Sequence, residues 1–202
     1  MPLLGILNIE NKVSRALKKH VDDLNATIST EKESQKPVIH ELCKAAASCR
    51  TVLETALSEA ASEKARLQKD VFADPVIQDT LGHAYGEKTV FPNRVYDNID
   101  AISSLYRAEQ RALEALEQES RKEWEEVRPA SFPARKEFAL RARDRLVATL
   151  GVHGSLREEE VERAGRLEEE IRSLEKRLRE VEGIEGVEGV TGEDVVEVEK
   201  TL

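Results

Sequence analysis

Aromatic side chains are scarce in this chain: they make up 4% of its 202 residues, and there is a single tryptophan. Aromatic residues bury about 150–250 Å² each and supply much of the core of an ordinary compact domain. Charged residues are abundant instead, at 35% of the chain, against about 25% in a typical domain. The remaining apolar supply is mostly Leu, Val, Ile and Ala, a composition typical of long helices with narrow apolar stripes.

Cysteines and long apolar runs are also few. Cys43 and Cys49 stand six residues apart in one predicted helix, which separates them by about 240° around its axis, so they cannot form a disulfide with each other. Buried thiols in a reducing compartment are the simpler interpretation.

The N-terminal residues lack the basic segment of a signal peptide, and no stretch approaches the ~20 apolar residues of a membrane span. We therefore expect a soluble protein of the cytoplasm or nucleus, neither secreted nor transmembrane.

The sequence lacks the residue patterns of common catalytic and metal sites. None of its four histidines has a glutamate three residues before it, as a di-iron bundle requires, and no Cys-x-x-Cys or His-x-x-x-His pair occurs. No glycine-rich loop follows a strand pattern, which argues against nucleotide-binding folds. The scattered histidines supply no positioned base for a nucleophile. We therefore expect no enzyme activity, no cofactor or metal, and no small-molecule substrate.

No long stretch of the sequence has an excess of basic residues. Residues 155–202 contain 8 basic and 16 acidic side chains, a charge of −8 out of −9 for the whole sequence. Phosphate binding is driven by basic stripes, so the charge pattern argues against general nucleic-acid binding.

Apolar stripes with helical spacing are what the sequence does contain. They predict helices over residues 3–30, 38–72, 75–82, 92–127, 134–150 and 155–182. The two clearest stripes alternate steps of three and four, as heptad core positions do: Leu42, Ala46, Cys49, Leu53, Ala56 and Ala60, then Val95, Ile99, Ile102, Tyr106, Glu109, Leu113 and Leu116. Glu109 is the polar exception in the second stripe.

Helix ends are predicted from proline, glycine and capping residues. The Asp-Pro pair at residues 74–75 predicts an N-cap followed by a first-turn proline. Gly151 and Gly154 predict a break, after which Ser155 begins a capping box and a new helix. Gly183 predicts the end of that helix.

Together these elements predict an all-α fold, an elongated helical bundle or coiled coil of about five helices with a disordered acidic C-terminal tail. The predicted domains are a helical bundle body over residues 1–154, a C-terminal coiled-coil helix over 155–182, and a flexible acidic tail over 183–202. Glycines recur every third residue in the tail, but the run is too short for collagen, and the acidic composition favours a linker.

The strongest candidate partner-binding surface is the stripe of the predicted helix over 155–182. Its apolar residues keep a strict three/four spacing between charged positions: Leu167, Ile171, Leu174, Leu178 and Val181. Such a stripe must be buried, either against the body of the same chain or against another helical chain.

A local basic patch is formed by Arg135, Lys136, Arg141, Arg143 and Arg145. Arg141 and Arg145 share a helix face because they are four residues apart. One interpretation is that the patch pairs with the acidic fifth helix folded back beside it. The other is that it docks an acidic partner or the DNA backbone.

Two terminal segments complete the candidates. Val195, Val196 and Val198 alternate with acidic residues, and the segment resembles a SUMO-interacting motif in its residue pattern, which would add a strand to a partner's sheet edge. A disordered tail end is the alternative. At the other terminus, an apolar cluster over residues 3–9 is either a buried terminus or a membrane-surface foot.

We therefore expect a non-catalytic structural or interaction subunit of a multi-protein assembly, acting through coiled-coil helix packing. Its partners would be other helical chains, with a hetero-oligomer favoured over a homo-oligomer. Two alternatives stay open. One is a peripheral membrane-binding protein that uses residues 3–28, and the other is a DNA-associated module that uses residues 135–145.

Overall fold

The structure, a computed structural model, describes residues 5–30 and 38–188. Its helices are α1 (Ile6–Thr30), α2 (Val38–Arg66), α3 (Pro75–Tyr85), α4 (Val90–Val127) and α5 (Phe132–Glu188). A π-helical turn, Leu67–Val71, continues α2, and the amide of Phe72 donates to the carbonyl of Leu67 at 2.8 Å. With 38 and 57 residues, α4 and α5 are about 57 and 85 Å long. The described part of the chain is all-α, which confirms that part of the predicted fold.

Ion pairs between neighbouring helices fix the order and direction of the four long ones. They are Lys12–Glu59 between α1 and α2, Arg50–Glu117 and Lys64–Asp100 between α2 and α4, and Arg94–Glu170 and Arg145–Glu123 between α4 and α5. In the interfaces of α2 with α4 and of α4 with α5, the partner's residue number falls as the number along the first helix rises, so these helices are antiparallel. In the interface of α1 with α2, Lys12 in the first half of α1 lies beside Glu59 in the second half of α2. The result is a four-helix bundle in which α1, α2, α4 and α5 alternate in direction, with α5 returning beside α1.

The apolar stripes read from the sequence line the centre of this bundle. All six residues of the α2 stripe are at most 2% exposed, and the α4 stripe is buried along its whole length. Many α2 core positions are Ala or Cys, which lets the helices approach closely. The burial of these two predicted stripes confirms that periodicity identified the core faces of α2 and α4.

The short helix α3 lies in the connection between α2 and α4. Asp74 caps it, since its Oδ1 accepts hydrogen bonds from the amides of Val76 at 2.8 Å and Ile77 at 3.3 Å, and Pro75 occupies the first turn. The cap is as predicted, but α3 runs three residues past the predicted end. It stops at Gly86, whose φ of 77° favours glycine.

The predicted break after residue 150 is wrong, because α5 runs without interruption through Gly151, Gly154 and Ser155. Glycine in a helix interior costs about 0.5–1 kcal/mol relative to alanine, which tertiary packing can outweigh. Here Phe138 and Leu146 before the glycines, and Ala164 after them, are buried in the same core. The predicted domain boundary between residues 154 and 155 therefore lies inside one helix.

The C-terminal end of α5 also differs from the prediction. The helix passes Gly183 and continues to Glu188, so at least the first part of the predicted tail is helical. The other predicted tail residues, 189–202, lie outside the described residues.

Candidate functional site

The predicted partner-binding stripe lies partly in the core of its own chain. Leu167, Ile171 and Leu174 are 1%, 2% and 8% exposed, and they belong to the same buried cluster as the stripes of α1, α2 and α4. These three residues therefore pack within the chain, and this part of the stripe is not open to a partner. The side chains of Leu178 and Val181 lie outside the described residues, although their backbone continues α5.

The C-terminal part of α5 extends beyond the start of α4. Arg94 of α4 binds Glu170 of α5 at 3.0 and 3.2 Å, and the two helices are antiparallel. Four residues back along α4 is its first residue, Val90, and four residues forward along α5 is Leu174. From residue 175 to Glu188, about four helical turns or roughly 20 Å, α5 therefore continues past the start of α4. The short helix α3 also contacts α5 at this end of the bundle, where the hydroxyl of Tyr85 donates to Glu170 at 3.2 Å.

Two arginines of the basic patch, Arg141 and Arg145, bind carboxylates of α4 and of α5 itself. Glu123 accepts from Arg141 at 3.1 Å and from Arg145 at 2.8 Å, and Glu137 accepts from Arg141 at 2.9 Å. The predicted pairing with a fifth helix folded back beside the patch is wrong. Because the patch and the acidic segment belong to one continuous helix, they cannot lie side by side.

The described apolar residues of α1 are mostly buried, and residues 3–4 of the predicted terminal cluster lie outside the described residues. Ile6, Val13 and Leu24 are at most 3% exposed, in the core shared with α2 and α5. The backbone amide of Gly5, at the start of the helix, donates to Glu63 of α2 at 3.0 Å. The remaining candidates, Val195, Val196 and Val198, lie outside the described residues.

Sequence reasoning missed a cluster of four polar side chains in the bundle core, which we call the polar layer: Glu10, Tyr106, Glu109 and Arg157. Arg157 donates through Nε to Glu10 Oε1 at 3.2 Å and through Nη1 to Glu109 Oε2. The hydroxyl of Tyr106 donates to Glu10 Oε2 at 2.6 Å. The guanidinium group of Arg157 also lies over the Tyr106 ring, 5.5 Å from its centroid.

The polar layer is shielded from solvent. Side-chain exposure is 0% for Glu109, 3% for Arg157 and 12% for Glu10. Burial raises the pKa of Glu109 to about 7, although the charge and hydrogen bond of Arg157 act in the opposite direction. Burial also raises the pKa of the Tyr106 hydroxyl, with a further contribution from the Glu10 charge. The phenol therefore acts as a hydrogen-bond donor at neutral pH.

One sequence signal pointed to this layer. Glu109 occupies a core position of the α4 stripe, and a buried carboxylate needs a cation or hydrogen-bond donors close by.

A second buried polar residue of α4, Asn98, also forms hydrogen bonds with α5. Its amide group donates to the backbone oxygen and to Oε2 of Glu160, at 2.9 and 3.0 Å.

A surface groove of about 430 Å³ runs between α2 and α4. Its lining mixes both signs of charge: Arg50, Arg107 and Arg111 with Glu54 and Glu114. Arg50 is already bound to Glu117 at 2.6 Å. The groove therefore presents both signs of charge side by side.

In the ranges 5–30 and 38–188, no group of three or more His, Cys, Asp or Glu side chains is arranged to hold a metal ion. Across the same described residues, none of the helices combines the length and apolarity needed to cross a membrane. Both cysteines, Cys43 and Cys49, are free and buried.

Comparisons with protein-family models, with curated protein sequences and with solved structures found no match to this chain.

Proposed function

We propose that this protein is a non-catalytic subunit of a multi-protein assembly, located in the cytoplasm or nucleus. In this proposal the four-helix bundle is a rigid body, and the C-terminal part of α5 binds a helical segment of another chain by coiled-coil packing. The single observation that carries the proposal is the extension of α5 for about four turns past the start of α4.

The apolar spacing of α5 supports a partner on this extension. Leu178 follows the buried Leu174 by four residues, and Val181 follows Leu178 by three, so both continue the face that the bundle core uses. A helix that keeps an apolar face beyond the end of its antiparallel neighbour needs another surface to cover that face.

Charge supports a different chain as the partner. Residues 175–202 contain nine acidic and four basic side chains, a net charge of −5, so two copies of this segment side by side would repel each other. A helix with basic residues flanking its apolar stripe would be attracted instead. We therefore favour a hetero-oligomer over a homo-oligomer.

The alternatives have weaker support. A membrane-surface role for residues 3–28 would require the buried face of α1 to leave the core. A DNA-binding role for residues 135–145 would require Arg141 and Arg145 to give up Glu123.

The test compares two substitutions that each place one carboxylate on the same stretch of α5. Leu178→Asp lies on the proposed seam, and Ser173→Asp lies at an exposed position. The tagged wild type and both variants would be isolated from the native source under identical conditions, and their co-purifying chains identified by mass spectrometry. Circular dichroism and melting temperature report on the fold of each variant.

We expect Leu178→Asp to lose the partner chain while keeping the helicity and melting temperature of the wild type. Burying an unpaired carboxylate costs several kcal/mol, so association should weaken by roughly 100-fold or more. Ser173→Asp should retain the partner. If both variants keep the same partners, or if Leu178→Asp unfolds the isolated chain, the seam does not face another protein.

A further inference from the structure

All four long helices contribute to the neighbourhood of Glu109. Glu10 comes from α1, Cys49 from α2, Tyr106 from α4 and Arg157 from α5. Cys49 is fully buried, and burial together with the nearby Glu109 charge raises the pKa of its thiol to about 12. Cys49 therefore stays neutral, and the charge balance of the layer depends on two carboxylates and one guanidinium group.

The layer contains two carboxyl groups and one cation, the guanidinium group of Arg157. The guanidinium group of Arg157 serves both carboxylates, and the Tyr106 hydroxyl is committed to Glu10. Glu109 Oε1 is buried and has no hydrogen-bond partner among the described residues. When Glu109 is protonated, Glu10 and Arg157 balance each other. When Glu109 is ionised, the layer holds an excess negative charge in the core.

The polar layer also anchors a long stretch of α5. Leu146 and Ala164 are fully buried, and between them Arg157 is the one buried residue in this completely described stretch. The stretch also contains Gly151 and Gly154, and no atom outside the local helix lies within 4 Å of where their Cβ atoms would be. Two further contacts lie in the same stretch, since Leu150 packs partly against the core and Glu160 accepts hydrogen bonds from Asn98. Over about 27 Å of α5, Arg157 is thus the one buried residue that ties the helix to the centre of the bundle.

We propose that the polar layer is a pH-sensitive latch. A proton on Glu109 keeps the segment of α5 over residues 147–163 closed on the bundle, and loss of that proton loosens this segment. Deprotonation leaves the core with two carboxylates for one cation, and separating α5 from α4 is the movement that returns Glu109 to water.

The direction of the pH effect follows from Glu109. Its pKa is raised from an ordinary value of 4.5 to about 7 in the folded protein. The stability that Glu109 contributes is therefore fully present below about pH 4.5 and is lost as the pH rises through 7.

The imidazole of His153, one turn before Arg157, has the opposite effect on the pH dependence of stability. Burial and the Arg157 charge lower its pKa, so it destabilises the fold as pH falls below its ordinary value of 6.5.

The experiment is hydrogen exchange of the intact protein at pH 5, 6, 7 and 8, with intrinsic rates corrected and peptides resolved by mass spectrometry. In the wild type we expect the opening equilibrium of residues 147–163 to rise by roughly 10-fold or more from pH 5 to pH 8. Peptides from the α2 core should change less. Glu109→Gln should abolish the rise, because glutamine fills the same space without titrating and His153 is unchanged.

The matched control is Glu114→Gln, an exposed glutamate of the same helix, which should keep the wild-type pH dependence. A persistent pH-dependent rise in Glu109→Gln would overturn the latch. If that variant does not fold, carboxyl ¹³C chemical shifts of the wild-type protein decide the matter. A midpoint near 7 for Glu109 supports the latch, and a midpoint at or below 4.5 rules it out.

Discussion

Arg157 joins three helices through one guanidinium group, since it donates to Glu10 of α1 and to Glu109 of α4 from its own position on α5. A buried ion pair adds little net stability when it forms, because desolvating the charges offsets most of their attraction. Removing one partner is different, since the remaining charges stay buried without compensation. The polar layer should therefore be sensitive to loss of its cation.

Replacement of Arg157 by methionine tests this at the residue scale. The variant keeps most of the side-chain volume and leaves two buried carboxylates, so we expect a loss of about 3–5 kcal/mol in the free energy of unfolding. Urea unfolding at pH 7, followed by circular dichroism, measures it. The control Arg163→Met removes an arginine whose ion pair with Glu160 is half exposed, and it should cost less than about 1 kcal/mol. Equal small losses would mean that Arg157 is solvated.

The sequence revealed only part of this site. Heptad spacing placed Glu109 in the α4 core stripe, and the structure confirms that it is buried. Its cation, Arg157, lies 48 residues later and was predicted to belong to the first turn of a separate helix. Which residues meet across a bundle depends on the register between helices, and the periodicity of one helix contains no information on that register.

At the scale of elements, α5 illustrates how packing overrides local preference. Gly151 and Gly154 are unfavourable in a helix, and a prediction from local sequence breaks the helix there. Core residues on both sides hold the helix continuous. The cap of α3 by Asp74, in contrast, was predicted correctly because its hydrogen bonds reach only two and three residues along the chain.

The glycines of α5 offer a stabilising test. A Cβ at Gly151 or Gly154 would meet no atom within 4 Å outside the local helix, so alanine at each position should raise the free energy of unfolding by about 0.5–1 kcal/mol. Gly86→Ala is the control with the opposite sign, because φ is 77° there and a Cβ costs about 1–2 kcal/mol. Chemical denaturation of the three variants measures these effects. No stabilisation at 151 and 154 would indicate that this segment is not helical.

At the scale of the whole molecule, α5 has two roles. Its first part closes the bundle beside α4 and α1, and its last turns extend past the start of α4. The count of helical stripes was sufficient to predict an all-α bundle. The stripes alone could not decide between two arrangements: five helices with a detached C-terminal one, or a four-helix bundle with one long helix. The difference depends on whether Gly151 and Gly154 end a helix.

The most direct measurement of this architecture is the distance between spin labels on cysteines placed at Lys136 and Ser173, both exposed on α5. The native cysteines are replaced by alanine and serine so that no other site is labelled. A continuous helix separates the two positions by about 55 Å, and we expect double electron–electron resonance to give that distance. A distribution centred below about 25 Å would show that the chain turns back near residues 151–154, with its two halves packed side by side, and would contradict the account of a single long helix.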